Sequence, residues 1–346
     1  PFRLYAGYEN SGSSIAGSSR YLAGLNAGNL FHRDHQLNLQ YMTASDAHRY
    51  WGFSGDYIAY LPWRNLFKLQ GSYVRTRPQT DPDFDPLGKS FYIGGRYSIP
   101  FVFEKSSHQL KIGYDFKRMN NFFVFDIQNQ FARDMDISQF LLGYEGRRET
   151  KWGVSILQGN LYLSPGDMTK YNKDRFFAQE RQGAKSNYIY GTVNFEQVFY
   201  LPKEFSLSFL SLLQLSSGKL LPPEEFSLGG YSTVRGYQEN MVIGDRGILI
   251  RTEFRSPLFN LFLLHKVKNL MQLLWFFDFG YTNDADQNLL TKDSAVLAST
   301  GPGFRYQVSD KITLRFDYGI QLKSISGRFF EKDWDSRAHI GIVAGF

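Results

Sequence analysis

The sequence predicts an all-β chain closed into a 16-stranded antiparallel transmembrane β-barrel that takes up residues 1–346. Three observations carry that reading. Apolar and polar residues alternate with period two almost everywhere. The alternating stretches run to about ten residues or more, the length a tilted strand needs to cross a bilayer. The connections between them are short and long in turn.

The alternation is plain in three stretches. Ile112, Tyr114 and Phe116 alternate with Lys111, Gly113, Asp115 and Lys117. Ile248, Ile250, Thr252 and Phe254 alternate with Leu249, Arg251, Glu253 and Arg255. Ile312, Leu314, Phe316, Tyr318 and Ile320 alternate with Thr313, Arg315, Asp317 and Gly319. Such patterns give strands one apolar and one polar face, and no stretch of helical period competes with them. A soluble sandwich would turn the apolar face inward. The polar faces here carry too many charges for a dry core but suit a wet lumen. Aromatics near strand ends, such as Tyr60, Trp63, Phe199 and Tyr200, fit interfacial girdles.

Strand centres fall near Tyr5, Leu25, Leu39, Gly55, Gly71, Gly94, Tyr114, Leu141, Ser155, Thr192, Phe209, Ile250, Phe277, Phe304, Phe316 and Ile342. Short connections follow even strands: Leu61–Asn65, Leu201–Glu204 and Val308–Lys311. Long ones follow odd strands: Pro78–Lys89, Ser164–Lys185, Gly218–Arg246, Thr282–Val296 and Ser324–Ser336. An even strand count puts both termini on the short-turn, periplasmic side.

Composition narrows the function classes. With no cysteine there are no disulfides and no thiolate metal sites. The net charge of +6 is spread through the strands without a basic block, so nucleic-acid binding is not expected. No run of about 18 apolar residues offers a transmembrane helix. The chain opens at Pro1 directly into a strand-like segment, Phe2–Tyr8, without a signal-peptide pattern. Either the mature chain starts here or an N-terminal part has been removed.

One stretch breaks the strand pattern. Phe226–Tyr237 carries three glycines, small hydroxyl residues and a single cation, Arg235, between two amphipathic strands. Long loops in compact folds are usually functional or disordered, and this glycine content suggests a defined backbone path.

Val234-Arg235-Gly236-Tyr237 resembles the Val-Arg-Gly-Phe/Tyr motif of the BamA superfamily, the barrels that insert or export other proteins. Phe226–Gly230, Gly244-Asp245-Arg246-Gly247 and Arg251–Pro257 extend the likeness to the two-partner secretion transporters, the TpsB family. The opening Glu9–Ser14, with Gly17 and Arg20, fits the same branch, and the closing strand His339–Phe346 fits outer-membrane barrels in general. Its terminal Phe346 resembles the barrel-assembly signal of outer-membrane proteins. Phe276-Phe277-Asp278-Phe279-Gly280 resembles the superfamily's Phe-x-Asp-x-Gly strand. The resemblance implies that the long loop folds into the lumen and that Arg235 pairs with Asp278. Strand alternation agrees, since Phe277 and Phe279 facing lipid turn Asp278 inward. In a partly wet lumen such a pair is expected to contribute about 1–3 kcal/mol. Gly236 and Tyr237 would shape and anchor the tip, with Phe276 and Gly280 supporting from the strand. Arg251, Glu253 and Arg255 line the lumen beside it, either as a wall ladder for a passing chain or as cross-strand pairs.

The resemblance further implies a bacterial outer-membrane transporter that exports a large unfolded exoprotein, TpsA-like and β-helical. It needs neither nucleotide nor metal, and energy could come from folding outside. Lipid, lipopolysaccharide and, during biogenesis, the barrel assembly machinery would be the other partners. Departure of the loop or parting of the first and last strands would open a path. Family members carry a plug helix and two POTRA domains ahead of the barrel. Nothing in 1–346 resembles these, so the chain reads as the barrel portion of a longer protein. The alternatives are BamA- or TamA-like insertion of barrels, a passive porin and a soluble β-rich binder.

Other candidates are weak. Asp81, Asp83 and Asp85 could hold Ca²⁺, but spaced acids in a surface loop are ordinarily solvated. His32, His35, His48, His108, His265 and His339 lack ligand spacing. Gly301-Pro302-Gly303, placed at a strand start, is no phosphate loop. No catalytic motif is found, and neither an enzyme nor a cofactor is expected.

Overall fold

The computed structural model describes residues 2–13, 16–78, 87–120, 134–261, 269–285, 294–324 and 336–346. Eighteen strands lie among them: β1 (Phe2–Glu9), β2 (Arg20–Leu30), β3 (His35–Thr43), β4 (Tyr50–Tyr60), β5 (Leu66–Thr76) and β6 (Gly88–Phe103). Then follow β7 (Ser106–Met119), β8 (Met135–Thr150), β9 (Gly153–Pro165), β10 (Asn187–Tyr200), β11 (Ser206–Ser216), β12 (Phe226–Leu228) and β13 (Val242–Gly244). The last five are β14 (Arg246–Arg255), β15 (Asn269–Asn283), β16 (Ser294–Val308), β17 (Ile312–Gln321) and β18 (Ser336–Gly345).

Sixteen of these strands, all but β12 and β13, close into one barrel. Every predicted strand centre falls inside one of them. Parity along each strand sorts the faces. Leu110, Ile112, Phe140 and Leu142 stand exposed on the outer face, whereas Asp115, Gln139 and Asp278 are buried on the inner one. The barrel closes where β1 meets β18, with Tyr5–Glu9 opposite Gly341–Gly345. Asn10 extends that seam with its side chain, donating to Ala338 O and accepting from Ile340 N, each at 2.8 Å. The terminal Phe346 presents its ring outward while its N–H donates to Leu4 O at 2.8 Å.

Several local expectations are corrected. The loop after β9 holds a helix, α1 (Asp174–Glu180), seven residues long and too short to show a period. Tertiary burial holds it: Phe177 is buried with Met135, Ile137, Tyr188, Tyr190, Leu220 and Leu221. The Phe226–Tyr237 stretch opens on β12, which pairs with β13 as a small hairpin outside the barrel sheet. Gly301-Pro302-Gly303 sits within β16, not at its start. Pairing with β17 skips Gly301 and Pro302, as a residue without an N–H requires. The connection between β14 and β15 is long although it follows an even barrel strand. Asp81–Asp85 and His265 lie outside the described residues.

Candidate functional site

The loop between β11 and β14 packs against inner-face residues of β14, β15 and β17, and Arg235 is the largest of its fully buried side chains. A guanidinium has five N–H donors and no acceptor, so burial without carboxylates would be prohibitive. Three strands supply them. From β15, Asp278 accepts from Arg235 Nε at 2.7 Å and Nη2 at 2.8 Å, and from the Arg235 backbone N–H at 3.1 Å. From β14, Glu253 accepts from Nη1 at 2.7 Å. From β17, Asp317 stands 3.4 Å from Nη1. The fork-shaped pair with Asp278 fixes orientation as well as charge.

The Phe-x-Asp-x-Gly positions on β15 now have separate physical tasks. All three face the lumen because they share parity. The Phe276 ring lies under the guanidinium, 3.6 Å from centroid to Cζ. Asp278 pairs with it. At Gly280 a Cβ would come within 2.8 Å of Leu228 and 3.0 Å of Val234, so the missing side chain makes room for the loop. Val234 is fully buried with Phe226, Leu228, Tyr237, Met241, Leu249 and Leu297. Leu249 interrupts the polar face of β14, and this packing explains it.

Gly236 has φ +92°, a left-handed conformation that glycine adopts at no steric cost. Its backbone lies directly against β17, where a Cβ on Gly319 would stand 2.4 Å from Gly236 N. Gly236 N–H donates to His339 Nε2 at 3.0 Å, and its carbonyl accepts from Gln321 at 2.8 Å. The single hydroxyl proton of Tyr237 has two backbone carbonyls within reach, Ala298 O at 2.9 Å and Lys323 O at 2.5 Å.

Arg251, Glu253 and Arg255 are committed to the loop and to one another. Arg251 Nη1 donates to Ser232 O at 2.9 Å, and its Nε stands 3.4 Å from Asp278. Arg255 pairs with Glu253 at 2.6 Å. Arg305 and Arg315 complete the cluster on Asp317, at 2.9 and 2.7 Å. Arg315 also stacks on the Tyr231 ring of the loop, 3.9 Å from its centroid.

Sequence reasoning missed Asp317, Gly319 and His339. A signal was present: Asp317-Tyr318-Gly319 repeats the Asp-x-Gly spacing of Asp278-Phe279-Gly280. In both strands the acid meets Arg235 and the glycine admits loop backbone or side chain.

The loop's root is tied separately. Glu224 receives Lys117 of β7, Gln139 of β8 at 3.2 Å and Tyr190 of β10 at 2.5 Å. Beyond the strands, Arg181 gathers Asp245 at 2.5 Å, Glu225 at 2.7 Å and Asp284 at 2.8 Å. Burial pushes the Glu225 carboxyl up to about 8. Arg181 pulls the other way, and the charges of Asp245 and Asp284 reinforce the rise.

A family profile described as haemolysin secretion/activation protein ShlB/FhaC/HecB matches residues 1–306. The Heme/hemopexin transporter protein HuxB of Haemophilus influenzae is 25% identical over 332 residues, covering 87% of this chain and 53% of that protein. CdiB from Escherichia coli superimposes with TM-score 0.80 at 16% identity, over 100% of this chain and 63% of that one. BamA from Haemophilus ducreyi lacking POTRA domains 1–3 gives TM-score 0.65 at 16% identity, over 100% of this chain and 70% of that one. The two structural likenesses speak for the fold. The chain spans about half the length of the curated relatives it matches. On its family match and its closed 16-stranded barrel, the chain belongs to the ShlB/FhaC/HecB family, the TpsB barrels of the bacterial outer membrane.

Proposed function

We propose that this chain is the barrel of a two-partner secretion transporter, which exports a large unfolded exoprotein to the cell surface. The observation that carries the reading is the loop docked inside the barrel, its Arg235 held by carboxylates of three strands. A passive diffusion pore does not require such a device, and the family whose profile matches is one of secretion proteins. The reading gives the chain no catalytic step and no cofactor. A TpsA-like β-helical exoprotein is the cargo, folding outside supplies the drive, and lipid, lipopolysaccharide and the assembly machinery surround the barrel's life cycle.

Magnitudes argue that the docked loop is a fixed part of the lumen. Stripping partners from a buried ion pair costs about 3–5 kcal/mol. Returning Val234, Tyr237 and Leu228 to water costs about 1.5–3 kcal/mol each. These contacts favour docking by roughly 10 kcal/mol before the entropy of ordering the loop is set against them. On this reading Arg235, Gly236, Tyr237 and their strand partners shape the lumen.

The test uses the native host. The parent gene is deleted and complemented with wild type or Arg235→Ala, and secreted and outer-membrane proteins are quantified. Loss of one large secreted protein, with other barrels intact, is expected. A broad fall in outer-membrane barrels would favour the BamA-like reading, which the shared fold makes the natural second choice.

A further inference from the structure

The loop's hydrogen bonds run to β7, β8, β10, β11 and the wall from β14 to β18, and toward β2 its Glu239 feels only the charge of Arg20. The arc from β2 to β6 has a different chemistry. Its lumen face carries amides and hydroxyls: Asn38, Gln40 and Gln70 on β3 and β5, with Tyr5 and Tyr92 leaning over them from either side. Tyr5 Oη donates to Gln40 at 3.0 Å, Asn38 donates to Asp56 at 2.9 Å, and Gln70 donates to the Tyr92 hydroxyl. These side chains line a lumen niche of about 380 Å³, backed by Gly55 and Gly71, where the wall thins to backbone. Leu39, Phe53, Leu69 and Phe91 point the other way, to the lipid face.

Two properties separate this arc from the loop wall. Charges around the niche are paired, with Lys68 3.9 Å from Asp56 and Arg96 2.7 Å from Asp115 of the neighbouring β7. Around Arg235, by contrast, five arginines face three acids. Second, the polar groups are in register across strands: Asn26, Asn38, Asp56 and Gln70 are successive cross-strand partners. Strands in such barrels tilt by about 35–45°, so a row across them climbs the lumen instead of circling it.

Resting on the export reading above, we propose that the β2–β6 wall is the surface along which the extended backbone of the exported polypeptide slides. An unfolded chain brings one N–H and one C=O per residue, each needing a partner where water is crowded out. Carboxamides and hydroxyls can donate or accept, so they serve any residue of any sequence. A niche lined by neutral amides and hydroxyls, with its nearby charges paired, neither traps nor repels charged cargo segments strongly, and many weak contacts permit both entry and exit.

The test is site-specific photo-crosslinking in the full-length transporter, with the exoprotein stalled in transit by a folded C-terminal fusion. A photoreactive residue at Gln40 or Gln70 is expected to capture the exoprotein, and one at Leu39 or Leu69 is not. Capture at Asn160 or Asn194 on β9 and β10, without capture at Gln40 or Gln70, would overturn this track while leaving export through the lumen intact. Adducts from Gln40 to the transporter itself alone would overturn it too. No capture at any lumen position during continued secretion would sink the export route. Independently, Gln40→Lys with Gln70→Lys should slow secretion severalfold at unchanged barrel level and heat-modifiability, whereas Gln40→Asn with Gln70→Asn should not. Wild-type rates for the lysine pair would contradict the proposal.

Discussion

Arg235 answers to three carboxylates, and that number decides how its variants behave. A simple two-partner bridge tolerates exchange of its charges. Here Arg235→Asp with Asp278→Arg would set an aspartate against Glu253 and Asp317, and would lose the bond from the Arg235 backbone N–H. The double variant is therefore expected to dock the loop no better than Arg235→Ala alone, a loss of about 3–5 kcal/mol. Thiol labelling of a Val234→Cys reporter, buried when the loop is docked, would show it; restoration of protection by the swap would contradict the three-acid account. The earlier expectation of about 1–3 kcal/mol assumed a partly wet pair, whereas both side chains are fully buried. Gly319 makes a second prediction. Gly319→Ala places a methyl 2.4 Å from Gly236 N, against backbone that cannot swing aside. The same Val234→Cys reporter should label faster in that variant, while heat-modifiability of the barrel stays unchanged.

Strands were legible one by one because period two is a local signal; what the polar faces meet is not. Asp278 could be turned inward from Phe277 and Phe279 alone, and the family motif then named its partner. Asp317 has the same parity argument from Phe316 and Tyr318, but nothing near it in sequence says that Arg235 lies across the lumen. Period two puts Arg251, Glu253 and Arg255 on one face of β14, but their engagement with Ser232, Arg235 and each other is long-range information. Helix α1 was invisible for a different reason: its stability comes from Phe177 packing beneath the loops, not from its own seven residues. At this level the cluster around Arg181 predicts a pH effect. The Glu225 carboxyl, raised to about 8, holds its proton in the docked cluster over a range in which an exposed glutamate has lost it. Docking of this cap therefore weakens as pH rises from about 4.5 to 8 and levels off above that. Limited proteolysis of the surface loops from pH 5 to 9 should show cleavage rising across that window in wild type and a flatter profile in Glu225→Gln. Equal profiles would contradict the assignment.

Seen whole, the lumen is divided by its own loop. The root is fastened to β7, β8 and β10 through Glu224, and the tip to β14 through β18 through Arg235 and Gly236. A strap tied at both ends is costly to withdraw, which leaves the amide- and hydroxyl-lined β2–β6 wall as the passage we propose. The number of barrel strands, their order and most of the alternation of connection lengths could be read from the sequence, the long β14–β15 connection being the exception. Closure by Asn10 across the seam and the two chemistries of the lumen could not, because each depends on which strands become neighbours around the ring. The most direct measurement is a disulfide trap. A Cβ at Gly280 lies 3.0 Å from Val234 Cγ2, so Val234→Cys with Gly280→Cys brings two thiols within bonding range. In outer membranes of the native host the disulfide should form under oxidation, and secretion of the exoprotein should continue with the loop so fastened. Failure of the bond to form, together with free thiol labelling of the Val234→Cys single variant, would contradict the docked loop, and secretion that stops until reductant is added would show that the loop must leave.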